Sequence, residues 1–165
     1  MKIVIVSDTH IPKRAKKLPD RLIKELHESD LILHAGDWQT VDAYRLFTKY
    51  CEAKGVIGNG DEPALKTYCP MRLLLTIRGF HIGLIHGHGT KKTTEKRVIE
   101  AFTEDEVTAI IFGHSHIPLH KTVNGIELFN PGSATDKRRQ NQYSFGLLSI
   151  EDALSFEHIF YDSKE

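Results

Sequence analysis

Five short polar clusters in this sequence carry side chains that bind divalent metal ions, and each cluster follows an apolar run. The clusters cover residues 7–10, 34–37, 58–61, 86–88 and 113–116. Their donor groups are imidazoles, carboxylates and the amide of Asn59, and none of them contains a thiol. This donor set suits Mn, Fe, Zn or Ni and disfavours a closed structural zinc site. The clusters therefore predict an open site for divalent metal.

Two of these clusters contain donor pairs with the same spacing. Asp8 and His10 are two residues apart, and so are His114 and His116. Side chains two apart in an extended chain point the same way, so each pair is expected to offer two donors to one site. A lone pair of this kind is more often a turn or a helix cap. Five such clusters in order, each at the end of an apolar run, favour a shared site.

The apolar runs predict strands, and the segments between some of them predict helices. Strands are expected at 2–6, 31–33, 53–57, 72–77, 80–86, 107–112, 119–123, 126–130, 144–150 and 154–161. Helices are expected at 18–28, 41–51 and from Thr93 or Thr94 to about Phe102. The opening β-α-β-α-β order is typical of parallel strands, where ligands bind outside the carboxyl ends. The whole pattern predicts one domain, residues 1–165, with two sheets and the helices outside.

Three local signals predict element ends and turns. Pro19 suits the first turn of the first helix. Thr40 is a candidate cap for the second helix. The Asn124-Gly125 pair between two short strands predicts a type I′ hairpin.

The composition is that of a soluble globular protein. The chain has 165 residues, of which 40% are apolar, and a formal net charge of zero, so no stable nucleic-acid partner is expected. No apolar run approaches the roughly 20 residues that span a bilayer, so no membrane association is expected. Cys51 and Cys69 form no CxxC pair and predict reduced thiols that pack as small hydrophobes. A cytoplasmic location is the resulting expectation, and a homodimer stays open.

The ordered motifs identify a family that the sequence resembles. D-x-H, G-D, G-N-x-D, H-G-H and G-H-x-H, in the five clusters above, resemble the motifs of the calcineurin-like metallophosphoesterase superfamily. The chain length and the Asn130-Pro131-Gly132-Ser133 element are similar to those of its compact phosphodiesterase branch. The resemblance implies an α/β fold, a four-layer α/β/β/α sandwich with two mainly mixed sheets and the site at the strand ends.

The resemblance also implies two divalent metal ions that share one carboxylate. The first ion's predicted ligands are Asp8, His10, Asp37 and His116. The second ion's predicted ligands are Asp37, Asn59, His86 and His114. The residues predicted to act in catalysis are Asp37, Asn59, His86 and His88. Mn is the expected metal, with Fe, Zn or Ni as alternatives.

One departure from the family pattern bears on the reaction. Much of the superfamily has a histidine near the leaving group where this sequence has Gly60. The usual general acid for poor leaving groups is therefore absent, and His88 is either a partial substitute or a plain loop imidazole. A metal-dependent phosphodiesterase acting on small phosphodiesters is the resulting prediction. The alternatives are a broad phosphomonoesterase or nucleotidase, and a non-catalytic scaffold like the retromer's subunit of this fold.

The predicted charge of the centre suits a phosphate ester. Two divalent ions bring four positive charges and Asp8 and Asp37 return two, so the centre is expected to attract anionic phosphate. Metal binding lowers the pKa of water from about 15.7 towards ~7, which makes hydroxide available for attack on phosphorus. Basic runs at 13–17, 91–92 and 137–139 follow loops of the site. They predict either solvated loops or a positive rim that steers nucleotide-like substrates.

Three further side chains in or beside the clusters have competing interpretations. Asp61 is expected either to orient a metal ligand or to cap a turn. His34 is expected to be a buried, hydrogen-bonded histidine, and Trp38 to pack beside the site or form part of its wall.

Overall fold

The computed structural model describes all residues from 1 to 165 and contains ten strands, three α-helices and one 3₁₀ helix. The strands are β1 (Lys2–Val6), β2 (Leu31–His34), β3 (Ala53–Gly55), β4 (Arg72–Ile77), β5 (Phe80–Ile85), β6 (Ala109–Ile111), β7 (Leu119–Val123), β8 (Ile126–Asn130), β9 (Tyr143–Ile150) and β10 (Leu154–Tyr161). The helices are α1 (Asp20–Leu26), α2 (Val41–Thr48) and α3 (Thr94–Ala101), and the 3₁₀ helix is Pro63–Thr67. None of these helices has the length and apolar character needed to cross a membrane.

The strands form two five-stranded mixed sheets. The first sheet has the order β10-β9-β1-β2-β3, in which β1, β2 and β3 are parallel and the β9 and β10 pairings are antiparallel. The second sheet has the order β4-β5-β6-β8-β7, in which β5, β6 and β8 are parallel. In each sheet, three parallel strands therefore end at one edge.

The buried side chains define four layers. Val4 and Val6 of β1 pack in one core cluster with side chains of α1 and α2, whereas Ile3 and Ile5 pack in a second cluster with side chains of the other sheet. This alternation follows from the two-residue period of a strand. A third cluster joins Val98 of α3 to the outer face of the second sheet. The order is thus helices, sheet, sheet, helix, and the predicted α/β/β/α sandwich is confirmed.

The predicted elements are confirmed, with differences at their ends. Thr40 and Thr93 cap α2 and α3, since their side chains accept hydrogen bonds from backbone N–H groups one turn on. Asn124 and Gly125 both have positive φ, as a type I′ turn requires. Pro19 precedes α1 instead of occupying its first turn. The first two helices are shorter than predicted.

Two strands that lead to the site end earlier than predicted. The ladder of β3 stops at Gly55 and that of β6 stops at Ile111, before the polar clusters begin. Beyond these points Gly58 and Gly113 closely approach the backbone and side chains of the neighbouring loops. A Cβ at Gly113 would lie 1.9 Å from Ser7 Oγ, and one at Gly58 would lie 2.1 Å from Asp37 Oδ1.

Candidate metal centre

The loops that follow five strands deliver the predicted ligands to one place. Those after β1, β2 and β3 come from one sheet, and those after β5 and β6 come from the other. Backbone hydrogen bonds join adjacent loops, from Asp8 N–H to Gly36 O (3.0 Å) and from Gly113 N–H to His86 O (3.0 Å). Across the sheets, His114 N–H donates to Asp8 Oδ2 (3.0 Å). The carboxyl edges of both sheets therefore meet, as ligand sites in such folds require.

The backbone of these loops is turned and not extended. The donor pairs do converge, but the extended chain expected from the sequence is not the reason. Asp8 and His10 have φ of 55° and 44°, and His114 and His116 have φ of 70° and 61°. These residues are in the left-handed region, so the pairs do not lie in extended chain. Each residue in this region costs about 1–2 kcal/mol, and such strain concentrates at functional sites. Asp37, with φ of 60°, shares the same conformation.

The donor atoms of five predicted ligands lie within a few ångströms of one another. Asp8 Oδ1 lies 3.4 Å from His116 Nε2 and 4.0 Å from His10 Nε2. Asp37 Oδ2 lies 3.5 Å from His10 Nε2 and 3.3 Å from His86 Nε2. Two donors bound to one ion at about 2.1 Å each are at most about 4.2 Å apart, so these spacings suit shared ions. Asp37 Oδ2 lies between donors predicted for different ions, and Asp8 Oδ1 also lies 3.8 Å from His86 Nε2.

Asn59, His114 and His88 lie at the other side of this group. Asn59 Oδ1 is 3.1 Å from His86 Nε2. The His114 ring centre is 5.3 Å from that of His86, but His114 belongs to neither compact group of metal-competent side chains, which are Asp8-His10-His116 and Asp8-Asp37-His86. The His88 ring centre is 5.5 Å from that of His86. The structure thus brings all the predicted site residues to one region. The side formed by Asn59, His88 and His114 is packed less tightly than the other.

Buried donor atoms without partners show that the residues present fit divalent ions. Asp8 Oδ1, His10 Nε2 and His116 Nε2 are shielded from solvent and make no hydrogen bond. Such atoms are rare in proteins because leaving them unpaired costs about 1–3 kcal/mol each. In His86 and His116 the other ring nitrogen faces a backbone carbonyl, that of Ala35 (2.8 Å) and Asp136 (2.6 Å) respectively. A proton on that nitrogen leaves Nε2 free to bind metal.

Burial shifts the ionisation of the site. It raises the pKa of Asp8 to about 7 because the carboxylate loses hydration. For Asp37 burial acts in the same direction, but the hydrogen bond and charge of His86 outweigh it and lower the pKa below its ordinary value. Burial lowers the pKa of His114 and of His116 to about 4. Both imidazoles are therefore neutral at pH 7, the form that binds metal.

Residues 130–136 support the first cluster through hydrogen bonds that the sequence did not reveal. Ser133 Oγ donates to Asp8 O (2.8 Å) and accepts from Asp136 N–H (2.8 Å). Thr135 Oγ1 donates to Thr9 O (2.6 Å). Asn130 Nδ2 donates to Gly113 O (3.0 Å). The Asn-Pro-Gly-Ser element was the available signal, but its sequence did not identify its partners.

Two more residues position loops of the centre. Asp61 accepts backbone N–H bonds from Asp37 (3.1 Å), Gly58 (2.8 Å) and Gln39 (2.6 Å), so its carboxylate caps the turn and does not contact a ligand side chain. Arg97 of α3 was not singled out in the sequence. Its guanidinium donates to the carbonyls of the loop that follows His86, including Gly87 O at 2.9 Å.

His34 and Trp38 are packing residues. His34 is fully buried, its Nε2 lies 2.9 Å from Thr9 Oγ1, and its Nδ1 accepts from Gly36 N–H (3.1 Å). Its ring stacks on that of Trp38 at 3.7 Å, and the indole N–H donates to Val56 O (3.0 Å). The expectation of a hydrogen-bonded core histidine is confirmed, and the packing interpretation of Trp38 is the one that the structure supports.

Comparisons with known proteins agree with this geometry. A "Probable metallophosphoesterase" from Methanothermobacter thermautotrophicus is 33% identical over 139 residues, which is 84% of this chain and 80% of that protein. The structure of an archaeal phosphodiesterase matches with a TM-score of 0.76 at 20% identity, over 98% of this chain and 100% of that one. Vps29 from Entamoeba histolytica, in a structure complexed with Zn²⁺, matches with a TM-score of 0.74 at 23% identity, over 97% and 99%.

At these identities, the two solved structures support the fold alone. The sequence family described as "Calcineurin-like phosphoesterase superfamily domain" matches residues 1–153, nearly the full chain. The protein therefore belongs to the calcineurin-like phosphoesterase superfamily.

Proposed function

We propose that this protein hydrolyses small phosphodiesters at a centre of two divalent ions, with Mn as the expected metal. The observation that carries the proposal is the convergence of buried, unpartnered donor atoms from Asp8, His10 and His116 beside Asp37 and His86. When bound, divalent ions at such a centre supply Lewis-acid charge and make hydroxide available near neutral pH. In the reaction, water adds to phosphorus, one P–O ester bond breaks, and the products are a phosphomonoester and an alcohol.

The protein's contribution is to position and orient the donor atoms. Asp37 Oδ1 is held by Gly60 N–H at 2.7 Å, which leaves Oδ2 directed between His10 and His86. The carbonyl of Ala35 orients the His86 ring in the same way that the carbonyl of Asp136 orients His116. Fixed donors of this kind need no rearrangement during the reaction, which is how preorganised charge stabilises a transition state.

The absence of a side chain at Gly60 supports diesters with good leaving groups as substrates. No imidazole at this position can donate a proton to the departing alcohol. His88 is the nearest alternative, with its ring centre 6.5 Å from that of His114. Burial lowers the pKa of His88, so the ring is neutral at pH 7 and is a weak proton donor. Aryl phosphodiesters, whose phenolate leaves without protonation, are therefore the preferred test substrates.

The proposal is tested with a matched aryl diester and aryl monoester after the metal-stripped protein is reconstituted separately with Mn, Fe, Zn or Ni. We expect turnover only with metal, the highest rate with Mn and a larger kcat/KM for the diester. A larger value for the monoester would favour the phosphomonoesterase alternative. Full activity of the metal-stripped protein would contradict the mechanism.

A scaffold role is the second candidate, and an exposed apolar segment favours it. Tyr68, Met71 and Leu74 are 45%, 52% and 41% exposed, and all lie within residues 68–74. Absence of turnover with every metal, together with capture of a partner through this segment, would support the scaffold.

A further inference from the structure

A cleft of about 400 Å³ lies directly beside the metal centre. It is lined by residues 115–117, which include the predicted ligand His116, and by residues 137–140 of the loop that follows the Asn-Pro-Gly-Ser element. The cleft therefore shares His116 with the candidate metal centre.

Two guanidinium groups in this cleft carry charge that the protein does not neutralise. Arg138 and Arg139 are exposed, and neither lies within ion-pair distance of a carboxylate. Asp136, the nearest acidic residue in the chain, is paired with Arg14 at 3.4 Å. Lys137 turns to the Tyr143 ring, with its amine 5.2 Å from the ring centre. Lys137 keeps its charge, so the two arginines are the cations of the cleft that have neither a carboxylate nor an aromatic contact.

The other basic runs of the sequence do not offer an equivalent site. Lys17 pairs with Asp20 (3.7 Å), and Lys92 pairs with Glu100 (2.5 Å). Lys16 lines a separate cavity that contains no predicted metal ligand. Of the three basic runs, only 137–139 lines a cleft that contains a predicted metal ligand.

An apolar side chain completes the cleft. Ile117 is 51% exposed and is one of only five large hydrophobic side chains with such exposure in the chain. It lies in the same wall as His116. Arginine prefers phosphate as a partner because its planar group donates two parallel hydrogen bonds. An apolar surface beside two arginines suits an organic group that itself carries a phosphate.

We propose that this cleft binds a second phosphate, carried on the organic part of the diester substrate, through Arg138 and Arg139, with Ile117 against that organic part. The inference rests on the proposed function, because it takes the scissile phosphate to bind at the metal centre. Two divalent ions with Asp8 and Asp37 leave two positive charges, which one hydroxide and one diester monoanion neutralise. The centre then has no net charge to attract a second phosphate, and the arginines supply that attraction.

Two chromogenic substrates isolate the second phosphate. Thymidine 5′-(p-nitrophenyl phosphate) and its 3′-phosphorylated form have the same scissile diester and nucleoside and differ only in the added group. For the Mn-loaded protein we expect kcat/KM to be about tenfold higher for the 3′-phosphorylated form at low salt, and the preference to shrink as ionic strength rises.

Matched variants locate the effect. The R138Q/R139Q variant should lose the preference, so that kcat/KM becomes equal for the two substrates. The K24Q/K49Q variant removes two exposed, unpaired charges, one in α1 and one directly after α2, neither of which lines the cleft, and should keep the preference. Equal kcat/KM for the two substrates in the wild type, or a preference that survives R138Q/R139Q, would overturn the inference while leaving the proposed function intact.

Calorimetric binding keeps the inference separate from turnover. Thymidine 3′,5′-bisphosphate should bind the Mn-loaded wild type about tenfold more tightly than thymidine 5′-monophosphate, and this difference should vanish in R138Q/R139Q. If no diester is hydrolysed with any metal, the proposed function fails, and the binding difference still decides the inference. Equal affinities of the two nucleotides would contradict the inference of a second phosphate site.

Discussion

The two halves of the candidate metal centre differ in how firmly the protein holds them. The first half consists of Asp8, His10 and His116. The second half consists of Asn59, His86 and His114, and Asp37 lies between the halves. In the first half the side chains of Asp8 and His116 are fully buried. In the second half His86 is also fully buried, but Asn59 is exposed and His114 is half-buried.

The difference arises from the supporting loops. Ser133 ties the carbonyl of Asp8 to the backbone of Asp136, whose own carbonyl orients His116. In the second half Arg97 supports the loop that follows His86, but the loop of Asn59 is followed by Gly60, which presents only its backbone. We infer that metal affinity and stability depend mainly on the first half, whereas the choice of leaving group depends on the second.

The largest expected effect comes from the residue between the halves. Asp37→Ala should abolish turnover, because it removes the carboxylate whose Oδ2 lies 3.5 Å from His10 Nε2 and 3.3 Å from His86 Nε2, donors predicted for different ions. Asp37→Asn should do the same while keeping an oxygen that accepts the Gly60 N–H bond, so it separates the loss of charge from the loss of the loop contact. Steady-state hydrolysis of the aryl diester measures the activity, and circular dichroism checks the fold. Turnover above a few per cent in either variant would show that the two ions do not share this carboxylate.

Gly60→His should produce the next largest effect, and it acts on the second half. Gly60 does not have positive φ, and a Cβ there would lie 3.3 Å from Asp37 Oδ1, so a side chain fits after a small adjustment. General acid catalysis contributes about 10²–10⁴-fold, so the ratio of monoester to diester kcat/KM should rise roughly a hundredfold.

Gly60→Ala is the control for the added bulk. It introduces the Cβ and no proton donor, so its substrate ratio should stay at the wild-type value. A change of similar size in both variants would mean that the shape of the loop, and not a missing proton donor, sets the preference.

Ser133→Ala tests the support of the first half. The substitution removes the hydroxyl that joins Asp8 to Asp136, and changes of this kind around ligands typically reduce metal affinity about 10–100-fold. It should also lower the free energy of unfolding by about 1–3 kcal/mol, because buried backbone groups lose their partner. Metal titration followed by calorimetry, and urea unfolding, measure the two effects. The exposed Ser155, replaced by Ala, is the matched control and should change neither quantity.

The contrast between the halves also explains what could be predicted from the sequence. The ligands were recognisable because each follows a buried strand and its residue type is unusual at such a place. The sheets followed from the apolar runs, which alternate between two cores in β1. These features depend on local pattern and on the general behaviour of parallel strands.

The supporting contacts depend on distant residues and were not predictable. Ser133 reaches the carbonyl of Asp8, which is 125 positions away, and a serine after glycine has no feature that indicates such a partner. The left-handed backbone of Asp8 and His10 was missed for a related reason. Asp and His enter this region more often than most residues, but only tertiary contacts select it at a given position. Asp61 had the right residue type, and the structure alone showed that it caps a turn.

The smallest expected effect is a change in how the free energy of unfolding depends on pH. It is tested with one histidine from each half. The pKa of His114 and that of His116 are lowered to about 4 by burial in the folded protein, whereas an unfolded histidine titrates near 6.5. Between these values the unfolded state binds more protons, so each histidine makes the free energy of unfolding fall as the pH drops from 6.5 towards 4. The buried Asp8, with a pKa of about 7, acts in the opposite direction in every variant.

Urea unfolding of the metal-free protein between pH 7 and pH 5 tests this difference. Both His114→Gln and His116→Gln should flatten the fall in stability relative to the wild type. His116→Gln should flatten it more, because the His116 side chain is fully buried, whereas solvent screens the charge on the half-exposed His114. Equal slopes for the two variants would mean that the halves are held alike once metal is removed. The first half would then be rigid because of bound ions and not because of the contacts of Ser133 and Asp136.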